Sequence, residues 1–138
     1  MWGNETGPLL IGHRVMELRV SQGEGAIAFL LDNGQTAVWR TEGDCCSESW
    51  WADGFSLNAL EGVVEEVHEL GLPDPDDGRT RQEVDVAYGF QIVTNRGKAQ
   101  LVFRNSSNGY YGGWASEELA ERESVEGWGI ISGNAWSA

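Results

Sequence analysis

The chain predicts an α+β fold, a mainly antiparallel sheet of about six strands built from two similar three-stranded meanders, with short covering helices. Three observations predict it. Apolar and polar residues alternate at the strand period in several short segments. Two strong hairpin turns, Asp32-Asn33-Gly34 and Asn95-Arg96-Gly97, divide runs of strand-forming residues. The same series of features also occurs twice. An early block runs Leu10-Ile11-Gly12, Val15-Met16-Glu17-Leu18, the first hairpin and Trp39-Arg40, with Trp50 ten residues on. A later block runs Leu60-Glu61-Gly62, Val64-Glu65-Glu66-Val67, the second hairpin and Phe103-Arg104, with Trp114 ten residues on. Turn chemistry forces part of this likeness, because Gly and Asn recur in all short hairpins, so duplication and convergent patterning both stay open. A true duplication would set two related connections, Arg40–Trp51 and Arg104–Trp114, side by side on a pseudo-symmetric sheet.

Each element follows from its local pattern. Arg14–Ser21 alternates, with Met16, Leu18 and Val20 opposite Glu17 and Arg19, as a half-buried strand does. Ala26–Leu31 is a continuous apolar run, and Gln35–Arg40 returns from the hairpin. Gly43-Asp44-Cys45-Cys46-Ser47 is rich in turn formers, and Ser47–Asp53 is expected to form one helical turn carrying Trp50 and Trp51. Ser56–Leu60 is expected as a short helix capped by Ser56, with Gly62 just past its end. Val63–Leu70 reads as the fourth strand, although Glu65, Glu66 and Glu69 would also suit a helix, and Pro73–Gly78, with two prolines and three acids, reads as an exposed loop. Val84–Thr94 and Lys98–Asn105 form the second hairpin. Ser116–Glu123 is expected as a short acidic helix, with Ser116 capping and Glu117 and Glu118 near the positive end of its dipole. Gly127–Ala138 keeps Trp128, Ile130, Ile131 and Trp136, so it is expected to dock on the body or on a second subunit.

Residues 1–138 fit a single domain, with halves of about 9–53 and 59–115 and an extension over 116–138. Net charge is −13, and the cations are eight Arg and one Lys. Direct nucleic-acid binding is therefore not expected, since phosphate contacts need clustered cations; the balance suits a solvated acidic surface first, and an acidic surface facing a basic partner second. Seven of the 22 acids fall between Glu61 and Asp77, with no Lys or Arg among them. The amino terminus has no basic or apolar leader pattern and no segment is apolar enough to span a membrane, so a cytoplasmic setting with reduced thiols is expected. Asn4-Glu5-Thr6 and Asn105-Ser106-Ser107 match the glycosylation acceptor pattern, which has no meaning without secretion.

At Gly43-Asp44-Cys45-Cys46-Ser47-Glu48-Ser49-Trp50-Trp51, and again at Arg104-Asn105-Ser106-Ser107-Asn108-Gly109-Tyr110-Tyr111-Gly112-Gly113, the chain resembles a family of small uncharacterised proteins encoded largely by bacteriophages and some bacteria. Leu10-Ile11-Gly12 is similar to that family's start, and the likeness covers roughly residues 9 to 114. The chain departs from the pattern at position 51, a Trp where the family tends to have Phe-Ala-Asp. The resemblance implies a phage accessory context in a bacterial host and no particular activity.

No catalytic constellation emerges. A bridge between adjacent Cys45 and Cys46 would be strained, since neighbouring Cα atoms are closer than disulfides prefer. Asp44 opposes thiolate formation, whereas Arg40 and a helix start at Ser47 would favour it, so a reactive pair and inert packing thiols are both carried. His13 and His68 could join the cysteines around zinc, but the spacing fits no known framework. The Asp74–Gly78 loop lacks the bidentate Glu of a calcium loop. There is neither a Gly-x-Ser-x-Gly elbow nor a phosphate-cradling Gly loop ahead of a helix. No metal and no cofactor is expected. What remains is recognition. Arg40 and Arg104 offer cationic forks; Asp44, Cys45, Cys46, Ser47, Asn105, Ser106 and Asn108 offer small polar groups; Trp50, Trp51, Tyr110, Tyr111 and Trp114 offer flat faces. The leading expectation is a non-enzymatic phage accessory protein that binds a host macromolecule, a host protein above all, through aromatic loops or an acidic surface, with a homodimer open. A small-molecule, nucleotide-like binding protein is the second expectation, and a thiol- or metal-dependent enzyme the third.

Overall fold

A computed structural model describes residues 7–43, 48–71, 84–107 and 113–137. Strands β1 (Val15–Val20), β2 (Ala26–Leu31), β3 (Thr36–Gly43) and β4 (Glu48–Phe55) lead into a 3₁₀ turn over Leu57–Glu61. Then come β5 (Val64–Gly71), β6 (Val84–Thr94), β7 (Gly97–Ser107) and β8 (Gly113–Ala120), a second 3₁₀ turn over Arg122–Val125, and short strands β9 (Gly129–Ile131) and β10 (Ala135–Ser137). They form two antiparallel sheets, ordered β8-β3-β2-β1-β9 and β10-β4-β7-β6-β5. Leu18, Ile27, Phe29 and Trp39 of the first sheet and Trp51, Phe90, Ile92, Leu101 and Phe103 of the second share one buried cluster, so the sheets pack face to face.

The mainly antiparallel character expected from the sequence is present, but the finer expectation of about six strands under covering helices is corrected to ten strands among the described residues, with two 3₁₀ turns. Ser116–Glu123 is not a helix: β8 pairs with β3 from Thr36↔Ala120 to Gly43↔Gly113, and completing that ladder outweighs the helix-favouring composition. Ser47–Asp53 is not a helical turn either. Strand β4 alternates Trp51 into the core and Trp50 onto the outer face, and both are buried. The turn after β4 is short and 3₁₀, and Gly62 does follow it, its N–H bonding the Ala59 carbonyl. Ser56 does not cap it: at φ 56° and ψ 38° its backbone lacks the extended geometry of an N-cap, and its side chain makes no cap bond. The carboxy-terminal segment docks on the body as expected, β9 on β1 and β10 on β4.

The two sets of four strands are arranged alike. In each, three strands form a meander, and the fourth crosses to the other sheet: β4 pairs with β7, and β8 pairs with β3. Register shifts fall at Val15/Glu17 in one set and Val64/Glu66 in the other. The N–H of Asp32 bonds the Arg14 carbonyl at 3.0 Å, and that of Asn95 bonds the Val63 carbonyl at 3.1 Å. Arg14 and Val63 themselves form an antiparallel bridge, where the two sets touch. Each open side of the sandwich is closed by the segment before a first strand, through Leu10 on one side and Leu57 and Leu60 on the other, all buried in the core.

Strand β2 is buried along its whole length because its outer face is covered too, Ala26, Ala28 and Leu30 packing with Val38 and Val125. That explains an apolar run without alternation. Aromatic rings link the sheets: Trp39 lies 4.7 Å from Phe29 and 5.1 Å from Phe90, and Trp51 lies 5.4 Å from Phe103. The Trp51 indole donates to the Trp39 carbonyl at 3.1 Å.

Glu117 fastens this arrangement. Its carboxylate accepts the Trp39 indole N–H at 2.8 Å and the main-chain N–H groups of Gly7 at 3.1 Å and Leu9 at 3.0 Å. Gly7 is held against Val67 at φ 120°, where an added Cβ would fall 2.6 Å from the Val67 Cβ. Removing the carboxylate strands a buried indole N–H and two main-chain donors. Glu117→Ala should therefore lower unfolding free energy by about 2–3 kcal/mol, read from the denaturant midpoint at unchanged slope. Trp51→Ala, which empties a fully buried site, should cost about 3–5 kcal/mol in the same measurement.

Candidate functional site

The sequence-predicted residues do not form one site. Arg40 and Arg104 do not meet. Trp39 and Phe103 point into the core, so their neighbours Arg40 and Arg104 lie on the outer faces of different sheets. Arg40 is exposed and its Nε donates to Glu118 Oε1 at 3.1 Å, an open pair worth well under about 1 kcal/mol. Arg104 is only 2% exposed, with its guanidinium carbon 5.4 Å from the centroid of the Trp50 ring, its partner in register. That stack couples β4 to β7 by cation–π attraction. Trp51 belongs wholly to the core.

The strand ends that flank the remaining predicted residues lie together at one end of the sandwich. Gly43, the last residue of β3, pairs with Gly113, the first of β8, while Glu48, the first of β4, pairs with Ser106 near the end of β7. The segments 44–47 and 108–112 therefore leave from adjacent strand ends. Asp44, Cys45, Cys46, Ser47, Asn108, Tyr110 and Tyr111 themselves lie outside the described residues. Ser106 and Trp114 are placed by their strands at this end. Buried Asn105 donates from Nδ2 to Ser49 Oγ at 2.9 Å, and the Thr41 hydroxyl lies 2.9 Å from the Gly25 carbonyl and 3.2 Å from that of Ser49. With the Trp51 N–H bonded to the Glu24 carbonyl at 2.7 Å, these contacts hold the rim across both sheets.

Edge strand β5 carries three exposed acidic residues, Glu65, Glu66 and Glu69. Charges on an edge strand disfavour its pairing with other chains. Desolvation raises the Glu69 carboxyl above its ordinary value, so its contribution to stability is lost as pH rises through the folded-state pKa. The histidines are engaged separately, His13 Nδ1 at 3.1 Å from Asp32 and His68 Nε2 at 3.0 Å from Glu66. Among the described residues no three His, Cys, Asp or Glu converge as a metal centre. No described helix is long and apolar enough to cross a membrane.

Two features escape the sequence. Glu117 reads as a helix-dipole acid but serves as a three-donor anchor. A basin of about 400 Å³ beside the second hairpin gathers Ser56, Asn58, Arg96, Lys98 and Asn134 from three separate segments, none of which signals a site alone.

Comparison with known proteins extends this picture. The uncharacterized protein L278 of Acanthamoeba polyphaga mimivirus is 28% identical over 114 residues, covering 77% of this chain and 87% of the relative. No solved structure matches the chain. A family model described as Domain of unknown function (DUF7448) matches residues 8–116, which take in both four-strand sets up to the middle of β8. The chain belongs to that family, Domain of unknown function (DUF7448).

Proposed function

We propose that this chain is a non-enzymatic accessory protein of viral setting that binds a basic partner protein through the rim from which segments 44–47 and 108–112 depart. The observation that carries the reading is the pairing of Gly43 with Gly113 and of Glu48 with Ser106, which brings the bases of both segments together. Those segments hold Asp44-Cys45-Cys46-Ser47 and Asn108-Gly109-Tyr110-Tyr111-Gly112. Tyrosines flanked by small polar residues on a stiff frame suit a recognition surface, since Tyr adds large contact area at low entropic cost. A net charge of −13, with exposed glutamates along β5, favours a partner of opposite sign and speeds encounter. The virus-encoded relative and the resemblance to phage proteins support the setting. We read the two four-strand sets as copies of one unit, on the strength of their matching register shifts and turn hydrogen bonds.

The test uses the paired variant Tyr110→Ser, Tyr111→Ser, because Trp51→Ala would damage the core. Immobilised wild type and variant, matched in melting temperature, are challenged with host lysate; a specific prey present with the first and absent with the second is expected, and identical prey sets would sink the rim. Raising salt from about 0.1 M to about 1 M shrinks the screening length from about 10 Å to about 3 Å, so capture should weaken markedly. Salt-indifferent capture would remove the electrostatic part of the reading.

A further inference from the structure

The basin beside the second hairpin has a chemistry that the rim does not use. Its wall is formed by Ser56, Asn58, Glu61, Arg96, Lys98 and Asn134, around a volume of about 400 Å³. Arg19 and Arg40 are each committed to a glutamate, at 2.5 and 3.1 Å, and Arg104 is stacked on Trp50. Arg96 and Lys98 make no such pair among the described residues. The side chains of Ser56, Asn58 and Asn134 likewise make no hydrogen bond with the described residues. In a chain of net charge −13, two cations unpaired among the described residues and several neutral donors thus border one hollow, with Glu61 the one described acid on its wall.

Backbone strain marks the same place. Ser56 is held at φ 56°, and the only other non-glycine residue at positive φ among those described is Glu24. Glycine would occupy such a conformation at lower cost, so a hydroxyl stands where the backbone alone favours none.

The first four-strand set provides a built-in comparison. The place equivalent to this basin lies between the β2–β3 hairpin and the end of β8, and it too is a hollow, of about 470 Å³, bordered by Gln35, Glu121, Arg122 and Glu123. There the hairpin polar groups satisfy each other, Asn33 Nδ2 donating to Gln35 Oε1 and the Gln35 N–H to Asn33 Oδ1, both at 2.9 Å. Its charges are two glutamates and one arginine. Two hollows in equivalent positions therefore carry opposite signs.

We propose that the basin between the Leu57–Glu61 turn and the β6–β7 hairpin binds a phosphate-type oxyanion. The Arg96 guanidinium provides a forked donor, Lys98 a point charge, and Ser56 and Asn58 neutral donors. Glu61 on the wall limits affinity and disfavours ligands carrying further negative charge nearby. The assignment is independent of the rim and goes beyond the partner-binding reading.

Titration of the full ¹⁵N-labelled chain with sodium phosphate, against sodium chloride at matched ionic strength, tests it. Saturable shifts are expected at the amides of Asn58, Gly97 and Lys98, and at least tenfold weaker binding in the Arg96→Gln, Lys98→Gln double variant. All these side chains are exposed, so melting temperature should stay near wild type; should the double variant fail to fold, Lys98→Gln alone should still weaken binding several-fold. Arg122→Gln, in the acidic counterpart, should leave affinity unchanged. Ser56→Gly should melt no lower than wild type, the strain being relieved, yet bind phosphate more weakly. Adenosine 5′-monophosphate in a parallel arm distinguishes a phosphate ester from free phosphate by which binds more tightly. Chloride shifts equal to those from phosphate, or an Arg122→Gln loss as large as that of the double variant, would overturn the site.

Discussion

Each sheet is completed by a strand from the other half of the chain, and most of the structure depends on that exchange. Strand β3 would be a bare edge without β8, and β7 without β4. An unpaired central strand exposes main-chain groups and an apolar inner face, so neither four-strand set is expected to be stable alone. The exchange also fixes where the connections lie. Segments 44–47 and 108–112 must each pass from one sheet to the other, in opposite directions, and the pairs Gly43↔Gly113 and Glu48↔Ser106 make them start from one end. Proximity of the strand ends that flank both segments is thus a consequence of the strand order. The same order sends Arg40 and Arg104 to opposite outer faces, because both neighbour a core aromatic.

Aromatic packing and a single carboxylate then lock the exchanged strands. Trp39 of the first sheet and Trp51 of the second are joined by an indole hydrogen bond to a main-chain carbonyl and by rings 6.1 Å apart. A buried indole N–H needs an acceptor. For Trp39 that acceptor is Glu117, on the very strand contributed by the other half. The carboxylate has capacity for more donors than one, and the main chain of Gly7 and Leu9 occupies it, so the segment that closes one side of the sandwich is tied to the interface between the halves. The abundance of Trp in this chain therefore serves cohesion at Trp39, Trp51 and, with Arg104, at Trp50.

How far the sequence foretold this differs by element. Both hairpins, the buried run Ala26–Leu31, β5 and the docking of the tail were readable, because turn chemistry and strand periodicity are local. Strands β4 and β8 were not. Adjacent Trp50 and Trp51 hide the period of two, since the outward member is buried as well as the inward one. In β8 the inward position beside Ala115 is Glu117, and an acid at a core-facing site reads as a solvated helix face unless its indole partner, 78 residues away, is known. The candidate rim was readable as a pair of motifs but not as a place. The phosphate basin was invisible: Arg96 and Lys98 read only as hairpin chemistry, and Ser56 as a helix cap.

Ser56 and Arg96 point to a more general feature of a frame built from two matching sets. Positions that hold the frame are alike in both, as the register shifts near Val15 and Val64 and the turn bonds of Asp32 and Asn95 illustrate. A side chain required by the backbone must obey the same geometry twice, so framework demands suppress differences between the sets. Turn positions exposed to solvent carry no such demand, and there the sets part: Asn33 and Gln35 bond one another, whereas Arg96 and Lys98 stay open. Since an exposed turn costs little to fold in either form, the frame tolerates a difference in charge between the two hollows. Side-chain chemistry at such turns is therefore free to differ between two equivalent places while the frame stays the same, and the proposed phosphate basin uses that freedom on one side alone.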